Sequence, residues 1–486
     1  MTAGEHTLVW FRQDLRIEDN PALAEAGRLG RPVIPVYIHS PEEEGGWAPG
    51  GASNWWLYHA LADLEKQLKT SGLNLVIATG SSQQILQSLI DKYPVNTVLW
   101  NRRYEPAIIQ RDAAISQHLI KQGLTVRSFN ASVLYEPDQV ANRSGNPFRV
   151  FTPFWKHLRS LPVPGPVDVR AGELNGAETK SPGVSLDDLG LLPDISWDRE
   201  FPEHWQPDRQ GAGAALQQFV RQGIDRYRDQ RDLPGVDGTS RLSPYLHFGQ
   251  LGPRQVWQAV QQSGAADGPG GYTFLSELGW REFACHLLVH FPNTPEQALN
   301  SGYRNFPWQP DRKYFRAWQR GMTGYPIVDA GMRQLWRTGW MHNRVRMIVA
   351  SFLVKHLQQP WQDGARWFWD TLVDADLASN TMGWQWTAGC GADAAPYFRI
   401  FNPMLQGAKF DPDGVYVSTY VPELKRLPAK YIHQPWEAPE HVLKEAGIGL
   451  GENYPEPVIG HREGRSRALA ALSENKQRNR SADSGN

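Results

Sequence analysis

The sequence lacks the features that would mark a disulfide scaffold, a membrane protein or a generally basic DNA-binding protein. Its 486 residues include only two cysteines, Cys285 and Cys390, which argues against a disulfide framework and suits a reducing cytosol. The formal net charge is −1, so DNA binding would need a local basic patch. The N-terminus has no basic start followed by an apolar segment, and no apolar run reaches membrane-spanning length. We therefore expect a cytoplasmic protein with no membrane partner.

Several common catalytic signatures are missing as well. The sequence contains no CxxC pair, no HExxH and no GxSxG, so a zinc site and a serine nucleophile turn lack support. The 14 histidines do not cluster at metal-ligand spacing, and we predict no metal site. No GxGxxG follows the first predicted strand, which removes the usual dinucleotide fingerprint.

Residues 6–130 alternate short apolar runs with amphipathic stretches, which predicts a doubly wound parallel sheet. The charged loop Arg12–Asn20 is predicted to have a structural role. The predicted strands are Thr7–Phe11, Val33–His39, Leu73–Ala78, Thr97–Trp100 and Thr125–Phe129, and the predicted helices between them are Ala22–Ala26, Trp55–Lys69, Gln83–Asp91 and Ile108–Gln122.

The rest of the chain changes character twice. Residues 160–210 are rich in proline, glycine and acids and predict a connector with little regular structure. From about 212 to 450 the apolar period is helical. We therefore expect an α/β domain over 1–135, a connector over 136–211, an all-helical domain over 212–462 and a polar tail over 463–486 with one short helix followed by disorder. The predicted helices are Phe219–Arg228, Pro253–Ser263, Tyr272–His290, Arg312–Arg320, Ala330–Thr338, Asn343–Leu357 and Gly364–Val373.

The segment Asp374–Pro403 holds the densest unusual chemistry. Asp374 and Asp376 lie beside an apolar run, where carboxylates need partners or a polar ligand. Trp384 and Trp386 flank a glutamine in the same segment. A tryptophan-rich core with a capping aspartate is an equally good interpretation of composition alone.

Three other groups could carry chemistry. The loop Gly238–Ser243 precedes a helix and could offer N–H groups and hydroxyls to an anion, although an ordinary helix cap explains it better in isolation. Glu277, Trp280 and Arg281 share one helical face; the alternative is a common Glu–Arg pair beside a core tryptophan. For Met341–Met347 taken alone, an ordinary amphipathic helix with solvated arginines is the better interpretation.

Read together, these motifs resemble one family. DxDLAxN…GWQW…DAAPYFRIFNP, together with GTSRLS, FLSELGWREF and MHNRVRM in the same order, is similar to the flavin-binding core of the DNA photolyase/cryptochrome family. The resemblance covers almost the whole chain. It implies an N-terminal α/β domain that binds an antenna pigment and a large all-α domain that binds FAD.

The resemblance implies FAD, active as FADH⁻, as the cofactor. Arg346 is then expected to pair with Asp374, and the neutral amide of Asn380 favours repair over signalling. Trp384, Trp361 and Trp308 match the family's chain of electron-carrying tryptophans. The implied FAD contacts are Tyr227, Thr239, Ser240, Arg241, Leu242, Ser243, Arg281, Arg346, Asp374, Asp376 and Asn380.

The implied partner is DNA with UV-induced pyrimidine dimers, and the implied reaction is blue-light-driven splitting of a flipped-out cyclobutane dimer by electron transfer from excited FADH⁻, in a monomeric carbon–carbon lyase. Glu277, Asn343 and Asn380 would be catalytic, and Trp280 and Trp386 would clamp the dimer. For each basic residue among the contacts, a solvated surface charge is the alternative. The implied DNA contacts are Arg231, Glu277, Trp280, Asn343, Arg344, Met347, Trp386, Arg399, Gln406 and Lys409.

Three points stay open from the sequence. Glu105 in NRRYE resembles an antenna-contacting acid, with 5,10-methenyltetrahydrofolate favoured over 8-hydroxy-5-deazaflavin, but an exposed loop acid fits equally. Residues 380–383 (NTMG) depart from the class I pattern, and residues 389–392 (GCGA) are closer to class III and plant cryptochromes. A signalling cryptochrome is the main alternative function; (6-4) repair is disfavoured because those enzymes carry His where this chain has Asn343.

Overall fold

A computed structural model of the chain describes residues 6–179 and 183–483. Its N-terminal part is the alternating α/β pattern that the sequence predicts, with strand ends moved by a few residues. The third strand is the most altered, since it covers only Val76–Thr79. The elements are β1 His6–Phe11, α1 Pro21–Leu29, β2 Pro32–His39, α2 Gly51–Thr70, β3 Val76–Thr79, α3 Ser82–Lys92, β4 Val95–Asn101, α4 Pro106–Lys121 and β5 Thr125–Phe129.

These strands form a parallel sheet in the order β3-β2-β1-β4-β5. In the central strand Leu8 is opposite Ile34 on one side and Val98 on the other. Side chains alternate between the two faces of a strand. Val9 accordingly packs in a core with α1 and α2, while Leu8 packs in a separate core with α3 and α4. Helices cover both faces, so the predicted doubly wound sheet is confirmed.

The connector contains more structure than the sequence predicts. Residues Asn175–Gly176 form a short strand, β6, that pairs with β2 at Pro32 and Val33. Two residues are too few to give an alternating pattern, so no sequence signal marks this strand. Two helices also lie in the connector, α5 Phe151–Leu158 and α6 Phe201–His204.

The remainder of the described chain is helical, as expected from the 3.6-residue period. Two predicted helices are interrupted: residues Phe219–Gly223 and Phe352–His356 widen into π-helical turns. The helices are α7 Arg209–Gln218, α8 Tyr227–Gln230, α9 Ser243–His247, α10 Pro253–Gln262, α11 Pro269–His290, α12 Arg312–Gln319, α13 Pro326–Thr338, α14 Asn343–Ser351, α15 Trp361–Thr371, α16 Leu377–Ala388, α17 Pro403–Phe410, α18 Val415–Tyr420, α19 Ala429–Ile432, α20 Glu440–Ala446 and α21 His461–Asp483.

Buried polar contacts fix the sheet against the helices. The Arg16 side chain, 1% exposed, donates to the Gly249 carbonyl at 2.7 Å and to the Ala131 carbonyl at 2.9 Å. The Trp56 indole N–H donates to Gln250 Oε1 at 2.8 Å. The predicted structural role of the Arg12–Asn20 loop is therefore confirmed for Arg16. None of the helices in the described part of the chain is long and apolar enough to span a membrane.

The C-terminal segment corrects an expectation. In place of a short helix followed by disorder, α21 runs from His461 to Asp483. Ala468, Ala471 and Leu472 pack against Phe306 and Tyr397. A narrow stripe of small apolar residues is enough to dock the helix. The segment as a whole is polar, and this composition predicted disorder because it masks the stripe.

We expect Ala468→Asp to detach α21, because the Ala468 side chain is fully buried and an unpaired carboxylate there costs several kcal/mol. Limited proteolysis should then cut within 461–483 at much lower protease concentration than in the wild type. Ala470→Asp, on the exposed side of the same helix, is the control and should resist cleavage. Equal resistance of both variants would contradict the docking.

Candidate functional site

A cavity of about 530 Å³ opens in the helical domain. Its volume and its mix of apolar walls with a few polar groups are typical of cofactor and ligand sites. The apolar wall includes Leu246, Phe274, Leu278, Phe368 and Leu372. The predicted site residues that line it are Tyr227, Arg231, Ser240, Leu242, Ser243, Glu277, Trp280, Arg281, Asn343, Arg344, Arg346, Met347, Asp374, Asp376, Asn380, Trp384 and Trp386.

The Asp374 carboxylate is held at the cavity wall by two donors. Arg346 Nη2 lies 3.0 and 2.8 Å from its two oxygens, and the Ser243 hydroxyl donates to Oδ2 at 2.6 Å. The predicted Arg346–Asp374 pair is thus confirmed. Asp374 is only 8% exposed, and this pairing explains how a carboxylate is tolerated beside an apolar run.

Asp376 caps α16 and faces a second cluster of charge. One of its oxygens accepts from the Ser379 backbone N–H at 2.7 Å, and the other lies 3.9 Å from His247 Nδ1. Burial alone would raise the pKa of Asp376, but its interactions with His247 and Arg281 hold that pKa below its ordinary value. The wall of the cavity therefore carries two fixed negative charges within one short segment.

Glu277 and Trp280 extend from α11 and line the same cavity. The Glu277 carboxylate is paired with Arg231 Nη1. One face of the Trp280 ring stacks on Phe151 of α5, with centroids 3.7 Å apart and planes 9° from parallel. Trp280 is partly exposed and lines the cavity, so a planar group can contact it from the cavity side. A carboxylate next to a π surface suits a planar heterocycle with N–H donors.

Asn343 and Asn380 bring two neutral amides to the same cavity. Asn343 begins α14, where the His342 side chain caps the helix by accepting from the Arg344 N–H at 3.2 Å. The Asn380 Nδ2 donates to the Ala365 carbonyl at 3.0 Å. This bond fixes the orientation of the Asn380 amide without placing a charge in the site.

Comparisons with known proteins agree with this geometry. A sequence model of the "DNA photolyase" family matches residues 7–168, and that of the "FAD binding domain of DNA photolyase" family matches residues 274–474. A deoxyribodipyrimidine photo-lyase from Agrobacterium fabrum is 48% identical over 466 residues, which cover 96% of this chain and 97% of that protein. The chain belongs to the DNA photolyase/cryptochrome family.

Relatives from both branches of the photolyase/cryptochrome family match over nearly all of this chain. Cryptochrome-1 from Arabidopsis thaliana is 41% identical over 97% of this chain and 71% of that protein. The crystal structure of a bacterial class III photolyase from Agrobacterium tumefaciens superposes with a TM-score of 0.95 at 47% identity, covering 98% of this chain and 99% of that chain.

Most of the cavity lining lies within residues 274–474, which match the photolyase FAD-binding domain, and residues 227–247 supply the rest. The residues present fit a flavin dinucleotide. The apolar wall can contact a planar ring system, while the paired Asp374 and the capped Asp376 offer acceptors for ring N–H groups. Ser240 and Ser243 bring hydroxyls, and Arg281 and Arg346 bring positive charge that suits a pyrophosphate or a reduced flavin. His247 Nδ1 is buried at this wall with no hydrogen-bond partner in the protein.

Two of the predicted FAD contacts lie outside the cavity lining. Thr239 precedes the lining residue Ser240 on the same loop. Arg241 adopts a positive φ of 51°, which leads the chain into α9, and its guanidinium lies 5.1 Å from the Trp340 ring and 5.7 Å from the Trp205 ring. In the protein alone, Arg241 therefore contacts tryptophans on the far side of the loop.

The three tryptophans of the predicted photolyase electron chain differ in burial. Trp384 and Trp361 are each 2% exposed, whereas Trp308 is half-buried. Trp384 lies against Gly364, one turn along α15 from Trp361. Its ring contacts are with Phe368 at 5.0 Å and Trp318 at 6.2 Å. The order from a buried to a half-buried ring agrees with the predicted direction toward the surface, while electron transfer itself stays a prediction.

The predicted DNA contacts Arg399, Gln406 and Lys409 lie outside the cavity lining, on the loop before α17 and on α17 itself. Arg399 and Lys409 are exposed. The Arg399 carbonyl accepts from the buried Lys355 Nζ at 2.9 Å. Burial, followed by the nearby Arg399 charge, lowers the pKa of Lys355 to about 8. The bond from Lys355 anchors the backbone of this loop, and the Arg399 side chain is exposed.

Glu105 differs from the exposed loop acid that the sequence allowed. Its side chain is 15% exposed and pairs with Arg103 at 2.8 Å, and Arg103 also pairs with Glu44 at 2.6 Å. Burial would raise the pKa of Glu105, but the Arg103 charge lowers it. Glu105 lines a cavity of only about 50 Å³ between the sheet and the helical domain, which Asp376 also lines.

Sequence reasoning missed two residues that shape this site. Phe151 supports Trp280 from the connector, and no sequence signal links two aromatics so far apart. Asp232 pairs with Arg344 at 2.8 Å. It directly follows Arg231 in the sequence, so that signal was available. Among the described residues, no group of His, Cys, Asp and Glu could hold a metal ion.

Glu282, next to Arg281 on α11, is a further buried acid and gives a pH prediction. It is 4% exposed and accepts from the Leu134 N–H at 2.8 Å. Burial raises the pKa of Glu282 to about 7. The folded state therefore binds the extra proton between the unfolded value of 4.5 and about 7, and this contribution to stability is lost as pH rises through that window.

Glu282→Gln should accordingly remove a pH-dependent loss of stability worth about 3 kcal/mol. Melting temperatures measured from pH 5 to 8 should fall less in the variant than in the wild type. Glu474→Gln, at an exposed acid on α21, should follow the wild type. Parallel curves for all three proteins would contradict a protonated Glu282.

Proposed function

We propose that this protein is a photolyase that repairs cyclobutane pyrimidine dimers in DNA, using blue light and bound FADH⁻. The observation that carries the proposal is that one cavity is lined both by the residues proposed to hold FAD and by the residues proposed to hold the dimer. Asp374, Asp376 and Arg346 line it together with Glu277 and Trp280. A cofactor and a flipped-out pyrimidine dimer could thus be in contact without an intervening protein layer.

The residues proposed to hold FAD fall into two groups. Ser240 and Ser243 would bind the pyrophosphate, and Asp374, Asp376 and Asn380 would contact the isoalloxazine ring. When bound, FADH⁻ would supply the light-driven electron transfer that opens the cyclobutane ring. Arg346 would balance the charge of Asp374 and of a reduced ring. The closed apolar walls would keep water away from the reacting groups.

Glu277 and Arg231 would act on the dimer as a pair. A carboxylate that accepts from Arg231 is ionised, and an ionised carboxylate accepts hydrogen bonds but cannot donate them. Glu277 would therefore bind a pyrimidine N–H, and Arg231 would donate to a carbonyl oxygen, where negative charge develops. Trp280, supported from behind by Phe151, would stack on the dimer, and Trp386 and Met347 would complete the pocket.

Two features favour dimer repair over the alternatives. The neutral Asn380 amide imposes no charge beside a reduced flavin, which suits repair better than cryptochrome signalling. Asn343 stands where (6-4) photolyases carry a histidine. The Agrobacterium class III photolyase is similar over nearly its full length, and the GCGA motif at 389–392 agrees with assignment to that class.

The proposal is tested with three oligonucleotides that carry a thymine dimer, a (6-4) photoproduct or no lesion. We expect blue light to convert only the dimer, as followed by chromatography of the products, and no conversion in the dark. Conversion of the (6-4) photoproduct would reassign the substrate. Loss of neither lesion in protein with a full complement of reduced flavin would favour a cryptochrome.

We also propose that an antenna pigment binds near Glu105, with 5,10-methenyltetrahydrofolate favoured over 8-hydroxy-5-deazaflavin. The adjoining space of about 50 Å³ is smaller than either pigment, so binding there would require Arg103 to move away from Glu105. Mass spectrometry of the pigments released from purified protein identifies the antenna. Glu105→Gln should lower its content without changing the FAD content.

We also propose that the chain divides into domains at about residues 135, 211 and 462. The protein is further proposed to be monomeric and cytoplasmic. Size-exclusion chromatography with light scattering tests the oligomeric state: a mass near 54.9 kDa is expected for a monomer.

A further inference from the structure

Four charged side chains of alternating sign form a series beside the cavity. Glu277 pairs with Arg231 Nη1, Arg231 Nε lies 3.9 Å from Asp232 Oδ1, and Asp232 Oδ2 lies 2.8 Å from Arg344 Nη2. We call Glu277, Arg231, Asp232 and Arg344 the ion chain. Its first, second and fourth members line the cavity, and Asp232 does not.

We propose that Asp232 is a positioning residue that couples occupation of the cavity by a dimer to capture of a DNA phosphate by Arg344. The inference rests on the proposed function, since it requires a base in contact with Glu277. Asp232 touches neither partner in this scheme and acts through the two arginines that flank it.

In the DNA-free protein, Arg344 is masked. Asp232 Oδ2 occupies the place at Nη2 where a phosphate oxygen would bind, and the guanidinium is further held over the Phe410 ring, 4.5 Å from its centroid. The side chains of Arg344 and Asp232 are 20% and 36% exposed, so salt screens this pair less than a fully exposed one. A phosphate must therefore displace a carboxylate to bind Arg344.

A dimer in the cavity changes this balance. When Glu277 turns to the base, Arg231 loses its nearest carboxylate, and Asp232 is the next one, at 3.9 Å. Asp232 is then shared between two arginines, and its hold on Arg344 weakens. Arg344 can exchange it for a phosphate. Only side-chain rotations are needed, which is the usual extent of change at a preformed interface.

Undamaged DNA places no base against Glu277, so Glu277 keeps Arg231 and Asp232 keeps Arg344. The ion chain therefore adds to discrimination: one phosphate contact forms with dimer DNA and is withheld from undamaged DNA. This contact appears in the salt dependence of binding, because each neutralised phosphate contributes about 0.9 to the slope of log K against log salt.

The test compares Asp232→Asn with Asp237→Asn, an exposed acid on the same loop whose replacement makes the same charge change. Binding of reduced holoprotein to dimer and undamaged duplexes is measured at several salt concentrations in the dark. In the wild type, the slope for dimer DNA should exceed that for undamaged DNA by about 0.9. In Asp232→Asn, the undamaged slope should rise to the dimer slope, and discrimination should fall by about tenfold.

Asp237→Asn should keep the wild-type difference in slope, and Asp232→Glu, which preserves the carboxylate, should restore most of the discrimination. The FAD content of each variant reports correct folding. If Asp232→Asn changes the binding of dimer and undamaged duplexes equally, as Asp237→Asn would, the proposed coupling is wrong although dimer repair stands. If the wild type does not prefer dimer DNA at all, the proposed function and the coupling both fail.

Discussion

Asp374→Asn is expected to purify with little FAD and to bind added FAD roughly 100-fold more weakly, a loss of about 3 kcal/mol. The carboxylate accepts from Arg346 at both oxygens and from the Ser243 hydroxyl. Asparagine keeps one acceptor but leaves the Arg346 guanidinium without a countercharge at a largely buried position. The ratio of flavin to protein absorbance, followed by titration of the apoprotein with FAD, measures the effect.

Asp112→Asn is a matched control for this substitution. Asp112 pairs with Arg12 and Arg111 in the α/β domain, and its side chain is 12% exposed. We expect the control to lower the melting temperature while its FAD content stays at the wild-type level. Normal FAD binding by Asp374→Asn would show that the paired carboxylate does not contact the cofactor, and the site would then need to be redrawn.

Trp280→Ala is expected to bind dimer DNA about 10- to 100-fold more weakly and to repair it slowly at subsaturating DNA, while it retains FAD. Stacking of a base on an aromatic side chain contributes about 1–3 kcal/mol. Phe151 stacks on the other face of the Trp280 ring, with centroids 3.7 Å apart, and so fixes the ring in position to stack on a base. Equilibrium binding of a dimer oligonucleotide in the dark, with repair rates at low and saturating DNA, separates affinity from chemistry.

Trp336→Ala is the control for the loss of a partly exposed tryptophan. Trp336 is 50% exposed and stacks on Trp367, with centroids 6.2 Å apart, and neither ring lines the cavity. Dimer affinity should be unchanged in this variant. If Trp280→Ala also binds dimer DNA like the wild type, the proposed stacking wall is wrong.

The sequence predicted the parts of the molecule that repeat with a period. Buried strands such as β1 and amphipathic helices such as α10 were found because their apolar residues recur regularly. The start of α2 was missed by four positions, since Gly51 to Asn54 carry no apolar period. The length of α21 was underestimated because a narrow apolar stripe on it is surrounded by charge.

For the candidate site too, the sequence predicted local motifs but not contacts between distant segments. Family motifs placed Asp374, Glu277 and Trp280 at the cavity, since each of these residues lies in a contiguous and distinctive sequence motif. They could not reveal that Phe151 supports Trp280, because that contact joins distant segments through the fold. Asp232 was available as a candidate because it directly follows Arg231, but its contact with Arg344 also joins distant segments through the fold.

The most direct test of the account is repair under alternating illumination. Anaerobic, photoreduced protein is mixed with an oligonucleotide that contains one thymine dimer, and the recovery of thymine absorbance is followed while blue light is switched on and off. We expect recovery only during illumination, and its loss in Glu277→Ala. Protein in which FAD is bound and reduced normally but the dimer persists under light would contradict this expectation.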